Sequence, residues 1–154
     1  VIYVGAQSDI EQKEKKDRVD DAVCATKAAL ESGILPGGGI ALLEEAKSLH
    51  ERVASKNWTK EEVAAKDILI SGMIAPFEQI NANGGFDPDD IMSHDYFGKR
   101  GHGFDVKREQ YGSMIAMGII DPCKVTVTAL ENAVSVATTI LSTNAIITNV
   151  REQA

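Results

Sequence analysis

The chain has 154 residues, 44% of them hydrophobic and 25% charged, a composition of roughly one globular domain and not of a disordered polymer. Its 16 Lys and Arg face 23 Asp and Glu, a net charge of -7. That balance excludes a general phosphate-backbone binder working through a basic face, so no nucleic acid partner is expected. Aromatic residues make up only 5%, which leaves Ala, Val, Ile and Leu to fill the core. No apolar run has the length of a membrane span and no signal peptide opens the sequence, so no membrane partner is expected either. Cys24 and Cys123 lie far apart, a usage that fits a reducing compartment better than a disulfide framework. The sequence opens on Val1 and not on Met, and the expectation is a fragment or a processed product.

In chain order, Val1-Ile2-Tyr3-Val4 reads as a short strand closed by Gly5. Ser8 and Glu11 have the spacing of a capping box. A charged helix follows, with Glu11 to Lys15 and Glu14 to Arg18 in the acid-first order favoured at i,i+4. From Val19 it turns apolar through Ala22, Val23, Ala25, Ala28, Ala29 and Leu30, and Gly33 reads as its left-handed cap. Ile34-Leu35-Pro36-Gly37-Gly38-Gly39 is the sharpest punctuation in the chain. A helix is expected through Ile40, Leu42, Leu43, Ala46 and Leu49, then a loop at Lys56-Asn57-Trp58-Thr59. Thr59 and Glu62 form a second capping-box pattern. The next helix carries Val63, Ala64, Ile68, Leu69 and Ile70, and Pro76 is expected to kink or restart it. Asn83-Gly84-Gly85 breaks the pattern, Asp87-Pro88 opens a short helix, and residues 98–103 read as a hairpin or loop. Asp121 followed by Pro122 predicts an N-cap with Pro at the first helical position, the helix running to about Leu141. Residues 145–150 read as a terminal strand. The fold class is mainly α with a few short strands.

Chemical motifs are sparse. His50, His94 and His102 are scattered, neither cysteine has a close Cys or His partner, and no metal site is expected. The common nucleotide-binding loops are absent. Three glycines before a helix allow a ligand close to backbone amides, but alone they are better accounted for by a tight turn between packed helices. Asp20-Asp21 stands where the first helix turns apolar, usually the place of a solvated or ion-paired carboxylate and only seldom of a catalytic or metal-coordinating one. Asp121 carries the helix-cap reading.

Taken together, several segments resemble the group I chaperonins, the GroEL family. They are Glu-Lys-Lys-Asp-Arg-Val-Asp-Asp-Ala at 14–22, Gly33-Ile34-Leu35-Pro36-Gly37-Gly38-Gly39-Ile40-Ala41-Leu42, and Ala75-Pro76 with Gln79-Ile80. Further on come Gly103-Phe104-Asp105, Glu109-Gln110-Tyr111, and Met117-Gly118-Ile119-Ile120-Asp121-Pro122-Cys123-Lys124-Val125-Thr126. The resemblance spans essentially the whole chain and corresponds to the C-terminal part of a longer subunit. It implies that residues 1–32 are the returning arm of an intermediate domain. Residues 33–154 are then the C-terminal half of an equatorial domain: a helical bundle with a small β hairpin and a terminal strand.

The resemblance also implies a function, an ATP-driven machine that assists protein folding in a ring of subunits. Asp21 falls on the acid that orients the water attacking the γ-phosphate, a role suited to phosphoryl transfer, where positioning does most of the work. Gly38 falls on a glycine approaching the ribose, and Asp105, Val106 and Lys107 fall on a segment contacting adenine. Ile119 falls on an apolar wall of the base pocket, and Asp121 on an acid that hydrogen-bonds ribose hydroxyls. Lys107 stands where small or varied residues are usual, and residues 94–102 do not match the family's loop. ATP with Mg is the expected ligand, its phosphate loop and Mg ligand belonging to the N-terminal half. Other subunits are expected as partners, with a co-chaperonin and unfolded clients meeting an apical domain outside this chain. A bacterial-type cytoplasmic location is expected, the mitochondrial matrix being the alternative. The rival reading is a stand-alone helical interaction module of chaperonin ancestry without ATPase activity. On the first reading this segment alone is inactive, and helices 40–49 and 122–141 expose apolar stripes.

Overall fold

The computed structural model describes residues 1–53, 58–145 and 147. Its elements are α1 (Asp9–Ser32), β1 (Ile34–Pro36), α2 (Ile40–Val53), α3 (Lys60–Asn83) and α4 (Pro88–Met92). A 3-10 turn at Asp95–Gly98 follows, then β2 (His102–Asp105), β3 (Gln110–Ser113), β4 (Ile120–Pro122) and α5 (Cys123–Leu141). The fold is mainly α, with two small antiparallel sheets, β1 with β4 and β2 with β3.

Local chemistry explains most boundaries. Ser8 caps α1 by accepting the Glu11 amide, while Glu11 reaches back one residue further than expected, accepting the amide of Gln7. Both i,i+4 ion pairs of α1 form, Glu11 with Lys15 and Glu14 with Arg18. Residues 1–4 are not a strand: they run irregularly beside α1, where Gln12 donates to the Val4 carbonyl. Thr59 and Glu62 make the full reciprocal capping box of α3. That helix passes through Pro76 without restarting, since Met73 and Phe77, on either side of the proline, are both buried. The expected terminal strand at 145–150 falls almost wholly outside the described residues.

Two corrections concern chain ends that meet. Gly33 has φ 82 and ψ -174, a positive-φ extended conformation essentially reserved for glycine and not the left-handed helical cap expected. It turns the chain straight from α1 into β1. Asp121 does not cap α5. It lies in β4 opposite Leu35, and the extended backbone continues through Pro122, which occupies the N-cap position without a side-chain bond. The helix begins at Cys123, and its first amides are satisfied from α1 instead. Cys123 donates to the Gly33 carbonyl at 3.0 Å and Lys124 to Ser32 Oγ at 2.9 Å. Lys124 Nζ also lies 2.6 Å from Glu31 Oε2, and this bond and charge hold the Glu31 carboxyl below its ordinary range.

The core sits between α2, α3, α4 and the β2–β3 hairpin: Ile40, Leu43, Phe77, Ile91, Phe104 and Met114, edged by Ile74, Phe86, Val106 and Ile119. Phe77 packs edge-on against Phe97, and Phe86 against Phe104. The stripe Ile40, Leu43 and Ala46 of α2 is thus buried, against the expectation that it is exposed. The expectation holds for α5, which buries no residue and exposes Val125, Val127, Val134, Val136, Ile140 and Leu141. Helix α1 buries none either. The accessible surface is 11766 Å², against roughly 7,600 Å² for a compact monomer of this mass. The run of apolar side chains exposed along α5 marks an interface.

Because Gly33 has open space around a would-be Cβ, only its backbone angles oppose a side chain. Gly33→Ala is expected to cost about 1–3 kcal/mol, read as a lowered urea midpoint with an unchanged slope.

Candidate functional site

Gly37, Gly38 and Gly39 link β1 to α2, and each lacks a side chain for a different reason. A Cβ on Gly37 would lie 3.1 Å from the Ile119 carbonyl carbon, and the Gly37 amide donates to the Ile119 carbonyl at 2.9 Å. A Cβ on Gly39 would lie 2.8 Å from the backbone of Phe77, so this glycine lets α2 start directly on α3. Gly38 has φ 67, and the nearest atom to a Cβ there is Met114 Cε, at 2.8 Å, with Ile119 Cγ2 at 4.0 Å. The packing-turn reading is therefore right for Gly37 and Gly39. Gly38 alone faces side chains and no backbone.

The β1–β4 register places Leu35 opposite Asp121 and Pro36 opposite Ile120. Gly37 and Ile119 thereby meet at the end of this short sheet, a Cβ on Gly38 would stand 4.0 Å from Ile119 Cγ2, and Asp121 lies two residues further on in the middle of β4. The Asp121 carboxylate accepts no hydrogen bond among the described residues, and burial raises its pKa above the ordinary carboxylate value. It is a free acceptor held at a cost in solvation.

Asp105, Val106 and Lys107 occupy the tip of the β2–β3 hairpin. Asp105 is buried, and its Oδ1 accepts the amides of Lys107 at 2.9 Å and Arg108 at 3.1 Å. The Arg108 guanidinium lies 3.8 Å from Oδ2. This carboxylate therefore closes the turn, helped by Glu109 at φ 54. Val106 packs at the edge of the core beside Gly84, and Lys107 is exposed.

Asp21 lies elsewhere. It lines a groove of about 550 Å³ between α1 and α5, with Cys24, Ala28, Glu31, Lys124, Val125 and Thr128. That lining includes neither Gly38 nor Asp121. Its neighbour Asp20 lines a different groove, with Ile2, Val4 and Lys16. Asp21 has no hydrogen bond or ion pair to any described residue. Among the described residues, no three His, Cys, Asp or Glu side chains gather as a metal site.

The sequence model of the TCP-1/cpn60 chaperonin family matches residues 1–151. The chain belongs to this chaperonin family. It is also similar to a solved group III chaperonin in the open state, with a TM-score of 0.77 and 27% identity. The alignment covers 94% of this chain and 30% of that one, so the chain spans about a third of the chaperonin it matches.

Within a chaperonin subunit fragment, the site residues divide by what the structure does with them. It brings Gly38 close to Ile119, two residues before Asp121, and spends Asp105 on a turn. Asp21 stands apart on α1. Sequence reasoning passed over Met114, which is 1% exposed and reaches Gly38. No local motif marks it, since a buried methionine next to a hairpin reads as ordinary core.

The raised pKa of Asp121 has a sign that can be checked. The folded state holds its proton more tightly than the unfolded chain, so stability from this group falls as pH rises from the unfolded pKa through the folded one, and the loss persists above. Asp121→Asn is expected to raise Tm at pH 7 by about 1–2 °C, the half-exposed setting keeping the effect small. The gain should vanish below the unfolded pKa, in a melting series against pH.

Proposed function

We propose that this chain is the C-terminal part of a group I chaperonin subunit and supplies one wall of its ATP site. In this reading residues 1–32 belong to the intermediate domain and residues 33–154 to the equatorial domain. The observation that carries it is the convergence of Gly38, Ile119 and Asp121 through the β1–β4 pairing, in a chain whose family is known. A side-chain-free backbone and an unpaired carboxylate acceptor beside an apolar wall suit a ribose and its base. Asp121 accepts from sugar hydroxyls, Gly38 lets the sugar approach, and Ile119 shields the base. The hairpin tip of Asp105, Val106 and Lys107 offers backbone groups to adenine, since the Asp105 carboxylate is already engaged.

Asp21 serves as the acid that orients the attacking water. For that role α1 must bring it toward the nucleotide, and α1 is built to move as a unit. It buries none of its residues and is held at its C-terminal end by Ser32, Gly33 and the Glu31–Lys124 pair. Closing such an arm both completes the site and ties hydrolysis to the state of the ring. The phosphates and their Mg ion take their ligands from residues outside this chain, as do co-chaperonin and client proteins.

Two outcomes are expected. The 154-residue chain alone does not hydrolyse ATP; phosphate release that disappears in Asp21→Ala would overturn this. In the complete subunit, Asp21→Ala leaves ADP affinity within about two-fold and slows turnover by about 10²-fold or more. Loss of binding together with turnover would make Asp21 a structural residue. Gly38→Val weakens nucleotide binding in the same subunit, because a branched side chain displaces Met114, whose Cε lies 2.8 Å from where its Cβ would stand, and opposes positive φ. Unfolding in place of weakened binding would assign Gly38 to packing.

The apolar face of α5 predicts self-association of the isolated chain. Sedimentation velocity should show concentration-dependent oligomers; a compact monomer at high concentration would favour the stand-alone module.

A further inference from the structure

Met114 sits between two glycines. Its Cε is 2.8 Å from where a Cβ would stand on Gly38, and its Sδ 2.9 Å from where one would stand on Gly103. Gly38 belongs to the turn before α2, and Gly103 to β2, two residues before the hairpin tip. The absence of a side chain on both sides leaves a slot that the Met114 thioether fills, shared beside Gly103 with the Ile40 side chain at 2.7 Å, and Met114 is 1% exposed.

The backbone repeats the connection. The Met114 amide donates to the Gly101 carbonyl, the Met114 carbonyl accepts from Ile119, and the Ile119 carbonyl accepts from Gly37, each at 2.9 Å. One residue therefore touches the hairpin on one side and the glycine turn on the other through its side chain, and its main chain is linked to that turn through Ile119. Packed interiors transmit small displacements because they have little free volume.

We propose that Met114 is a positioning residue for the nucleotide, setting the distance between the glycine turn that meets the sugar and the hairpin that meets the base. The inference rests on the nucleotide reading of Gly38, Asp105 and Asp121. Removing the thioether lets the two walls drift, which weakens binding of the whole nucleoside without touching the water-orienting acid on α1.

The test uses the complete subunit, with ADP affinity from calorimetry, KM and kcat for ATP, and a melting curve for each variant. Met114→Leu keeps the volume and the fold but withdraws the tip atom that reaches Gly38, and Met114→Ala removes the support altogether. ADP affinity is expected to fall about three-fold for Met114→Leu and about ten-fold for Met114→Ala, KM rising in parallel and kcat staying within about two-fold. Met73→Leu, at a buried methionine of α3 that a Cβ on neither glycine would meet, should leave KM unchanged. Unchanged ADP affinity in a folded Met114→Leu overturns the proposal, and so does an equal rise in KM for Met73→Leu. If Met114→Ala does not fold, Met114→Leu decides. Failure of the unmodified subunit to bind ADP would instead remove the nucleotide reading itself.

Discussion

Everything near the proposed site depends on one constraint: three consecutive residues that must carry no side chain. Gly37 lies on the backbone of Ile119, Gly39 on the backbone of Phe77, and Gly38 faces Met114 between them. These approaches set where β1 ends, where α2 begins, and how closely β4 and α3 draw in. The buried cluster of Ile40, Leu43, Phe77 and Met114 forms around that point. A Cβ at Gly39 would have to move helix backbone, whereas one at Gly38 meets only the end of a flexible side chain. On the nucleotide reading Gly38 meets the sugar with its backbone, while Met114 supports the side from which a side chain is missing.

A second junction governs the rest of the molecule. The end of α1 supplies the carbonyl and hydroxyl that satisfy the first amides of α5, so two long helices are tied at one corner, neither burying a residue, and α5 shows an apolar face to solvent. Orphan amides at a helix start are ordinarily met by the helix's own cap residue. Here they are met by a different segment, which couples the direction of α1 to that of α5. Gly33, in a conformation that other residues avoid, sits at the turning point. On the proposed reading this corner is where an arm carrying Asp21 pivots over a nucleotide held by the body.

Much of this was legible in the residues. Ser8, Thr59 and Glu62 announce helix starts through short-range hydrogen bonds, and Asn83-Gly84-Gly85 announces a stop, because such signals act within a few residues. Asp121-Pro122 misled for the same reason. The dipeptide has the local form of a cap, but pairing with Leu35, distant in sequence, keeps it extended and delays the helix to Cys123. The strand reading of Val1-Ile2-Tyr3-Val4 failed because β-prone composition says nothing about a partner strand. The apolar stripe of α2 was legible, but its covering by α3 was not. Among the site residues, Gly38, Ile119 and Asp121 were reached by family resemblance and are assembled by long-range pairing. Asp105 has a turn-forming carboxylate that its position in the motif concealed, and Met114 carried no signal at all.

The central claim is that Asp121, Gly38 and Ile119 form the sugar and base wall of an ATP site in a chaperonin subunit. A crystal structure of the complete subunit with ADP and Mg tests it most directly. The account predicts ribose hydroxyls within hydrogen-bonding distance of the Asp121 carboxylate, the Gly38 backbone against the sugar, and Ile119 beside the base. Nucleotide bound away from these three residues, with Asp121 still facing solvent, would contradict it.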